Sequence, residues 1–203
     1  GGIKTAGNSL TINGSLTQNA SFSSTVDLNA VSAYFASVGT YAASLPATTS
    51  YTNNFGELIV SASGPLTVVN FSTGDFSAAW GVRIVGAGAV ICNVGGSSIT
   101  LSSKTWTYTN GAASTDTLLN MNQATTLNLS GGNTVNMLAA NAATHFSSGL
   151  VTGNLIVGSL TGSGQVNWPQ FGGFNRSESV PAPGVAATVA LAALGCTRRR
   201  RRA

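Results

Sequence analysis

The stretch VRIVGAGAVICNVGGSSITL, Val82 to Leu101, decides how the chain is read. It holds short runs rich in Val and Ile, parted by Gly86-Ala87-Gly88 and Gly95-Gly96. Runs of this length, closed by glycines, predict buried strands joined through tight corners. The spaced glycines imitate the start of a dinucleotide fingerprint, but the third glycine would fall at Ile91, and neither a helical pattern nor a ribose-binding acid follows. The GAG segment is therefore expected to be a corner and not a phosphate loop.

Working outward, similar runs appear on both sides: GELIVSA, PLTVVNF, KTWTYT, TTLNLS, NTVNML and LVTGNLIVGSL. Between Phe55 and Val166 they recur roughly every 8 to 20 residues, with no helix of clear apolar periodicity among them. An antiparallel sandwich and a parallel β-solenoid (β-helix) both accommodate this pattern. Tight GG and SG corners favour the solenoid, as does Asn recurring beside apolar positions (Asn120, Asn122, Asn128, Asn133, Asn136, Asn141), where stacked coils form amide ladders. No exact period is visible.

Upstream, Leu28, Val31, Phe35, Val38, Ala42 and Leu45 recur at steps of three and four, the apolar stripe of one long α-helix over Val26 to Leu45. Ser24 or Thr25 can cap it, Asp27 suits its positive end, and Pro46 follows it. Ser32, Ser37 and Thr40 fall on the face expected to meet water.

Charged residues make up 7% of the 203, against roughly a quarter in ordinary soluble domains. The net charge of +4 is nine Lys and Arg against five Asp and Glu; without Arg198 to Arg202 it is four against five, or −1. Only Lys4, Arg83, Lys104 and Arg176 remain, too scattered for a phosphate-binding face, so no nucleic-acid partner is expected. Cys92, in an apolar run, reads as a buried free thiol, and Cys196 lies near the C-terminus. No metal-ligand spacing is present, and no cofactor is expected. The opening Gly1-Gly2, without an export signal, reads as a chain cut from a longer precursor.

Catalytic candidates are few. His145 has no motif relation to Asp27, Asp75 or Asp116, no G-x-S-x-G elbow exists, and Asp27, Glu57, Asp75 and Asp116 are not spaced as paired carboxylates. A non-enzymatic domain is expected, with a polysaccharide-active enzyme built around His145 as the competing reading. Thr105, Thr107 and Thr109 share one strand face, with Trp106 and Tyr108 on the other. Such an array could order ice, but only if repeated on successive coils. Trp80, Trp106, Tyr108 and Trp168 are expected to fill or cover the core.

The order of landmarks, a helix ending in LPAT, then GELIVSASGPLTVVNFS, VRIVGAGAVICNVGGSSITL and TLLNMNQATTLNLSGGNTVNMLAANAATHFSSGLVTGNLIVGSL, resembles the choice-of-anchor A family of bacterial surface domains. The resemblance covers roughly Val26 to Phe174. It implies an adhesive domain at the cell surface or in the extracellular matrix, folded as a right-handed parallel β-solenoid flanked by one long helix, with a glycan or matrix protein as partner. It also implies that some N-terminal sequence is missing.

The C-terminal stretch SVPAPGVAATVALAALGCTRRRRRA has its own layout. A Pro-x-Pro turn at Pro181, Ala182 and Pro183 leads into the apolar block Val185 to Cys196, carried by Val189, Leu191 and Leu194. Arg198, Arg199, Arg200, Arg201 and Arg202 close it, placed as a positive-inside stop. The block is shorter than the roughly 20 residues of a stable span, so only a transient membrane segment in a short hydrophobic helix is expected. The layout resembles a PEP-CTERM sorting signal, with Ala182 at the position of the usual glutamate. That implies export, a transient inner-membrane stage and an exosortase-type transpeptidase as partner. The expected organisation is a surface domain over 1–174, a linker over 175–184 and a sorting tail over 185–203.

Overall fold

The computed structural model describes residues 28–167. Outside them lie the start of the expected helix, Asp27, Lys4, Trp168, Arg176, Cys196 and the stretch from Pro181 to Arg202 read as a sorting tail, where a short hydrophobic helix is expected. Among the described residues no helix is long and apolar enough to cross a membrane.

The protein is mainly β, with parallel ladders that curl into a half-barrel around one core. Its first column stacks β2 (Glu57–Ser61), β4 (Gly81–Val85) and β7 (Thr105–Thr109) in parallel, after β1 (Tyr51–Asn54) has paired antiparallel with β2. A second column stacks β3 (Leu66–Phe71), β5 (Ala89–Val94), β8 (Thr117–Asn120) and the first part of β10 (Asn136–Thr152). In the third, β6 (Ser98–Leu101) and β9 (Thr126–Asn133) stack on the later part of β10. β11 (Leu155–Gly162) continues both of the latter columns, and β12 (Gln165–Asn167) pairs with the end of β10.

The quoted stretch supplies one strand to each column, and the GAG segment is the corner expected of it. Gly86 and Gly88 have φ of 107° and 118°, the left-handed side that glycine adopts without strain. A Cβ on them would fall 2.3 Å from the Ala62 carbonyl oxygen and 2.2 Å from that of Gly64, the corner of the rung beneath. Backbone stacked on backbone leaves no room for a side chain.

Inward residues of every column meet in the main core, where Leu58, Val60, Val82, Ile84, Val90, Cys92, Leu127, Leu129, Met137 and Phe146 are buried. Burial pushes the Cys92 thiol up to about 12, so it stays protonated. Tyr108 and Trp106 pack against this core, and the Tyr108 hydroxyl donates to the Thr134 carbonyl at 2.6 Å. Burial raises that phenol.

The expected helix forms as α1 (Leu28–Ser44) and lies against the second column. Phe35 and Val38 pack on Leu118, Leu138 and Ala140, while Ala42 and Leu45 pack on Val68, Ile91 and Leu66. Val31 departs from the expected stripe: it is exposed, because the contacts run along the later turns of the helix. Between the two patches runs an amide ladder. Asn93 Nδ2 donates to Asn70 Oδ1 at 3.0 Å and to the Ala42 carbonyl at 3.2 Å; Asn120 Nδ2 donates to Asn93 Oδ1 at 2.8 Å and to the Gly39 carbonyl at 2.9 Å. Gly39 is what lets the helix come this close, since a Cβ there would stand 3.1 Å from Asn120 Oδ1.

Of the other asparagines expected to stack, Asn136 accepts from Asn154 Nδ2 at 2.9 Å, whereas Asn128 is exposed without a side-chain partner among the described residues. A short helix stands where only strand-like runs are expected. A second helix, α2 (Thr73–Ala78), interrupts the β region, nucleated by the Ser72 side chain accepting from the Asp75 amide at 3.0 Å. Its six residues are too few to show an apolar period. Phe76 anchors it in the core, and Lys104 donates to the Ala79 carbonyl at its end while lying 5.0 Å from the centre of the Phe76 ring.

Candidate binding face

The third column presents a face built by strand alternation. In β6, Ile99 and Leu101 point inward and Ser98 and Thr100 outward; in β9, Leu127 and Leu129 point inward and Thr126 and Asn128 outward. In β10, Thr144 and Phe146 are buried while Ala143 and His145 are exposed, and Ser159 and Thr161 of β11 continue the outer set. Register then lines them up in two rows across four strands. One is Ser98, Thr126, Ala143, Ser159; the other is Thr100, Asn128, His145, Thr161. Strand geometry spaces neighbours by about 4.8 Å along a row and by about 6.7 Å between rows.

This face carries no Asp, Glu, Lys or Arg in either row. The side chains of Ser98, Thr100, Thr126, Asn128 and Ser159 make no hydrogen bond within the described residues, so their donors and acceptors are turned to the outside. His145 Nδ1 lies 3.4 Å from Thr161 Oγ1, and the Thr161 hydroxyl donates to the Thr144 carbonyl at 3.2 Å. No carboxylate is hydrogen-bonded to the imidazole among the described residues. The arrangement offers a grid of hydrogen-bonding groups without Asp, Glu, Lys or Arg; among the described residues it brings no carboxylate to His145 as an orienting acid.

The residues singled out in the sequence are distributed elsewhere. Thr105, Thr107 and Thr109 do lie on one strand, but register places Thr107 beside Arg83 and Ile59, and Thr109 beside Val85 and Ser61. The threonine rank is therefore a single strand wide. Glu57 is buried against Arg83, which grips it with Nε at 3.1 Å from Oε1 and Nη2 at 2.9 Å from Oε2. Asp75 accepts from the Tyr51 hydroxyl at 2.5 Å, a bond that holds its carboxyl below the usual range, helped by Ser72. The Asp116 carboxylate accepts from the Thr115 hydroxyl at 3.5 Å. No three His, Cys, Asp or Glu come together to hold a metal among the described residues.

Sequence reasoning missed the four-strand face although its pieces, SSITL, TTLNLS, ATHFSS and VGSLTG, were in plain view. Three of them set Ser, Thr or Asn on both sides of a Leu or Ile, and ATHFSS sets Ala143 and His145 around Thr144, a likeness visible only once the strands are aligned.

A family model described as "Putative Ice-binding-like adhesive domain" matches residues 1–168 of the chain. The chain belongs to this family of adhesive-type domains. No curated protein and no solved structure matches it.

Proposed function

We propose that this is an exported bacterial surface protein that adheres, without catalysis, to a neutral glycan or a matrix protein through the face of β6, β9, β10 and β11. The observation that carries this reading is the four-strand grid without Asp, Glu, Lys or Arg, in which Ser98, Thr100, Thr126, Asn128 and Ser159 have no side-chain partner among the described residues. Membership of an adhesive family agrees with it. The finer fold reading is a right-handed β-solenoid, supported by parallel strands stacked in columns and one helix along the flank. Delivery rests on the tail: Pro181 to Pro183 as recognition motif for an exosortase-type transpeptidase, Val185 to Cys196 as a transient membrane segment, Arg198 to Arg202 as the stop. Its resemblance to a PEP-CTERM signal supports this, as the resemblance of the main domain to choice-of-anchor A proteins supports a surface location.

A second reading is favoured by the grid itself together with the family description: hydroxyl-bearing rows of this kind can order water against ice. It predicts thermal hysteresis or reshaped ice crystals. The main reading is tested by incubating the full chain with bacterial extracellular polysaccharide and following both bound protein and released reducing ends. The expected result is retention without cleavage. Release of reducing ends that disappears in His145→Ala would replace adhesion with hydrolysis.

A further inference from the structure

At the opposite side of the sequence order from the grid, the β1–β2 turn holds an aromatic residue where the backbone disfavours one. Phe55 has φ of 48°, the left-handed region, in which a bulky side chain is an outlier and Asn or Gly is the usual occupant. Its side chain contributes nothing to the core, being 97% exposed. Such a residue stabilises neither the turn nor the packing.

Trp80, 52% exposed, is tied to the same turn. Its indole N–H donates to the Phe55 carbonyl at 2.9 Å, its backbone N–H donates to the Gly56 carbonyl at 3.0 Å, and Gly56 sits against the ring edge, a Cβ there falling 3.0 Å from Cδ1. With the N–H satisfied, what Trp80 shows to the outside is ring surface held in one orientation. Around the pair, Asn54 and Thr105 are exposed, with side chains that have no partner among the described residues. Thr105 is joined to Trp80 through its amide, 3.1 Å from the Trp80 carbonyl. The charged neighbours are occupied: Glu57 by Arg83, and Lys104 buried on Phe76.

We propose that Phe55 and Trp80 form a second binding site, separate from the four-strand grid, that takes a pyranose ring of a neutral glycan. Rigid aromatic surface stacks on the C–H face of a sugar, and flanking amide and hydroxyl groups meet its equatorial hydroxyls. The absence of free charge in the patch selects a neutral sugar over an acidic one. An acyl chain would have no use for Asn54 and Thr105.

The test is titration calorimetry of the full chain with cellohexaose, mannohexaose and chitohexaose, beside phosphatidylcholine vesicles and sedimentation of the protein alone. Binding of at least one neutral hexaose is expected, weakened by about tenfold or more in Phe55→Asn. Phe55→Asn is the informative variant because it suits the turn, so its urea midpoint should hold or rise while binding falls. Trp80→Ala should lose binding too, and Ser32→Lys on the exposed side of α1, away from both faces, should leave hexaose binding unchanged. The proposal is overturned if no hexaose binds, if Phe55→Asn binds as well as the parent, if Ser32→Lys removes the binding, or if the Phe55-dependent event is vesicle binding or self-association.

Discussion

At the scale of single residues, the asparagines show how one side-chain type takes opposite roles. Asn120 is fully buried and spends its amide on Asn93 and the Gly39 carbonyl; Asn128, one strand later, spends nothing inside and faces outward. Removing a buried partner leaves polar groups unsatisfied at about 1–3 kcal/mol, whereas an exposed group regains water. Asn120→Leu is therefore expected to lower unfolding free energy by about 2 kcal/mol, and Asn70→Ala, at the exposed end of the same ladder, by under about 1 kcal/mol. Urea unfolding followed by circular dichroism measures both. Equal losses would mean that the ladder does not hold the helix. That asparagines stack was legible in the sequence, and Asn120 and Asn136 were among those expected to; Asn70 and Asn93 were not, because they sit in different runs and only register brings them together.

At the scale of elements, the helix was the clearest signal, since its apolar spacing is a local property that needs no knowledge of partners. What the spacing could not show is that Gly39, a helix-weakening residue, lies at the centre of the contact. Gly→Leu in a helix interior gains intrinsic propensity of under about 1 kcal/mol, but here the added side chain would collide with Asn120, Asn122 and Leu138. Gly39→Leu is expected to destabilise the protein by about 1–3 kcal/mol and to expose Cys92 less than it exposes the α1 interface, as hydrogen exchange would register. A stabilised variant would show that α1 does not dock through Gly39. α2 stayed hidden for the opposite reason: it is held by one cap and one buried ring, and neither produces a period.

At the scale of the molecule, the strands were legible but their stacking was not. The first column repeats evenly, Glu57 to Gly81 to Thr105, whereas the second steps from Leu66 to Ala89, Val90 to Thr117 and Leu118 to Asn136, at 23, 27 and 18 residues. Corners of changing length absorb these differences, so strands that stack in space do not repeat evenly in the sequence. The first rungs are closed off: β1 pairs with β2, Thr48 exchanges hydrogen bonds with Val68 on β3, and α2 packs beside β6. Capping of this kind protects strand edges from pairing with other chains. It leaves the long faces as the surfaces with area to spare, and among the described residues the two rows on β6, β9, β10 and β11 run across four strands without an Asp, Glu, Lys or Arg. A charge placed on it should repel or strand a neutral ligand, and most strongly at the middle of the grid. The direct measurement is retention of the full chain on isolated extracellular matrix, for Thr100→Glu, Asn128→Glu, His145→Glu and Thr161→Glu, with Thr107→Glu on the β2–β4–β7 face for comparison. About tenfold weaker retention is expected for Asn128→Glu and His145→Glu, less for the two outer rungs, and no change for Thr107→Glu. Undiminished retention of Asn128→Glu, or an equal loss from Thr107→Glu, would contradict adhesion through this face.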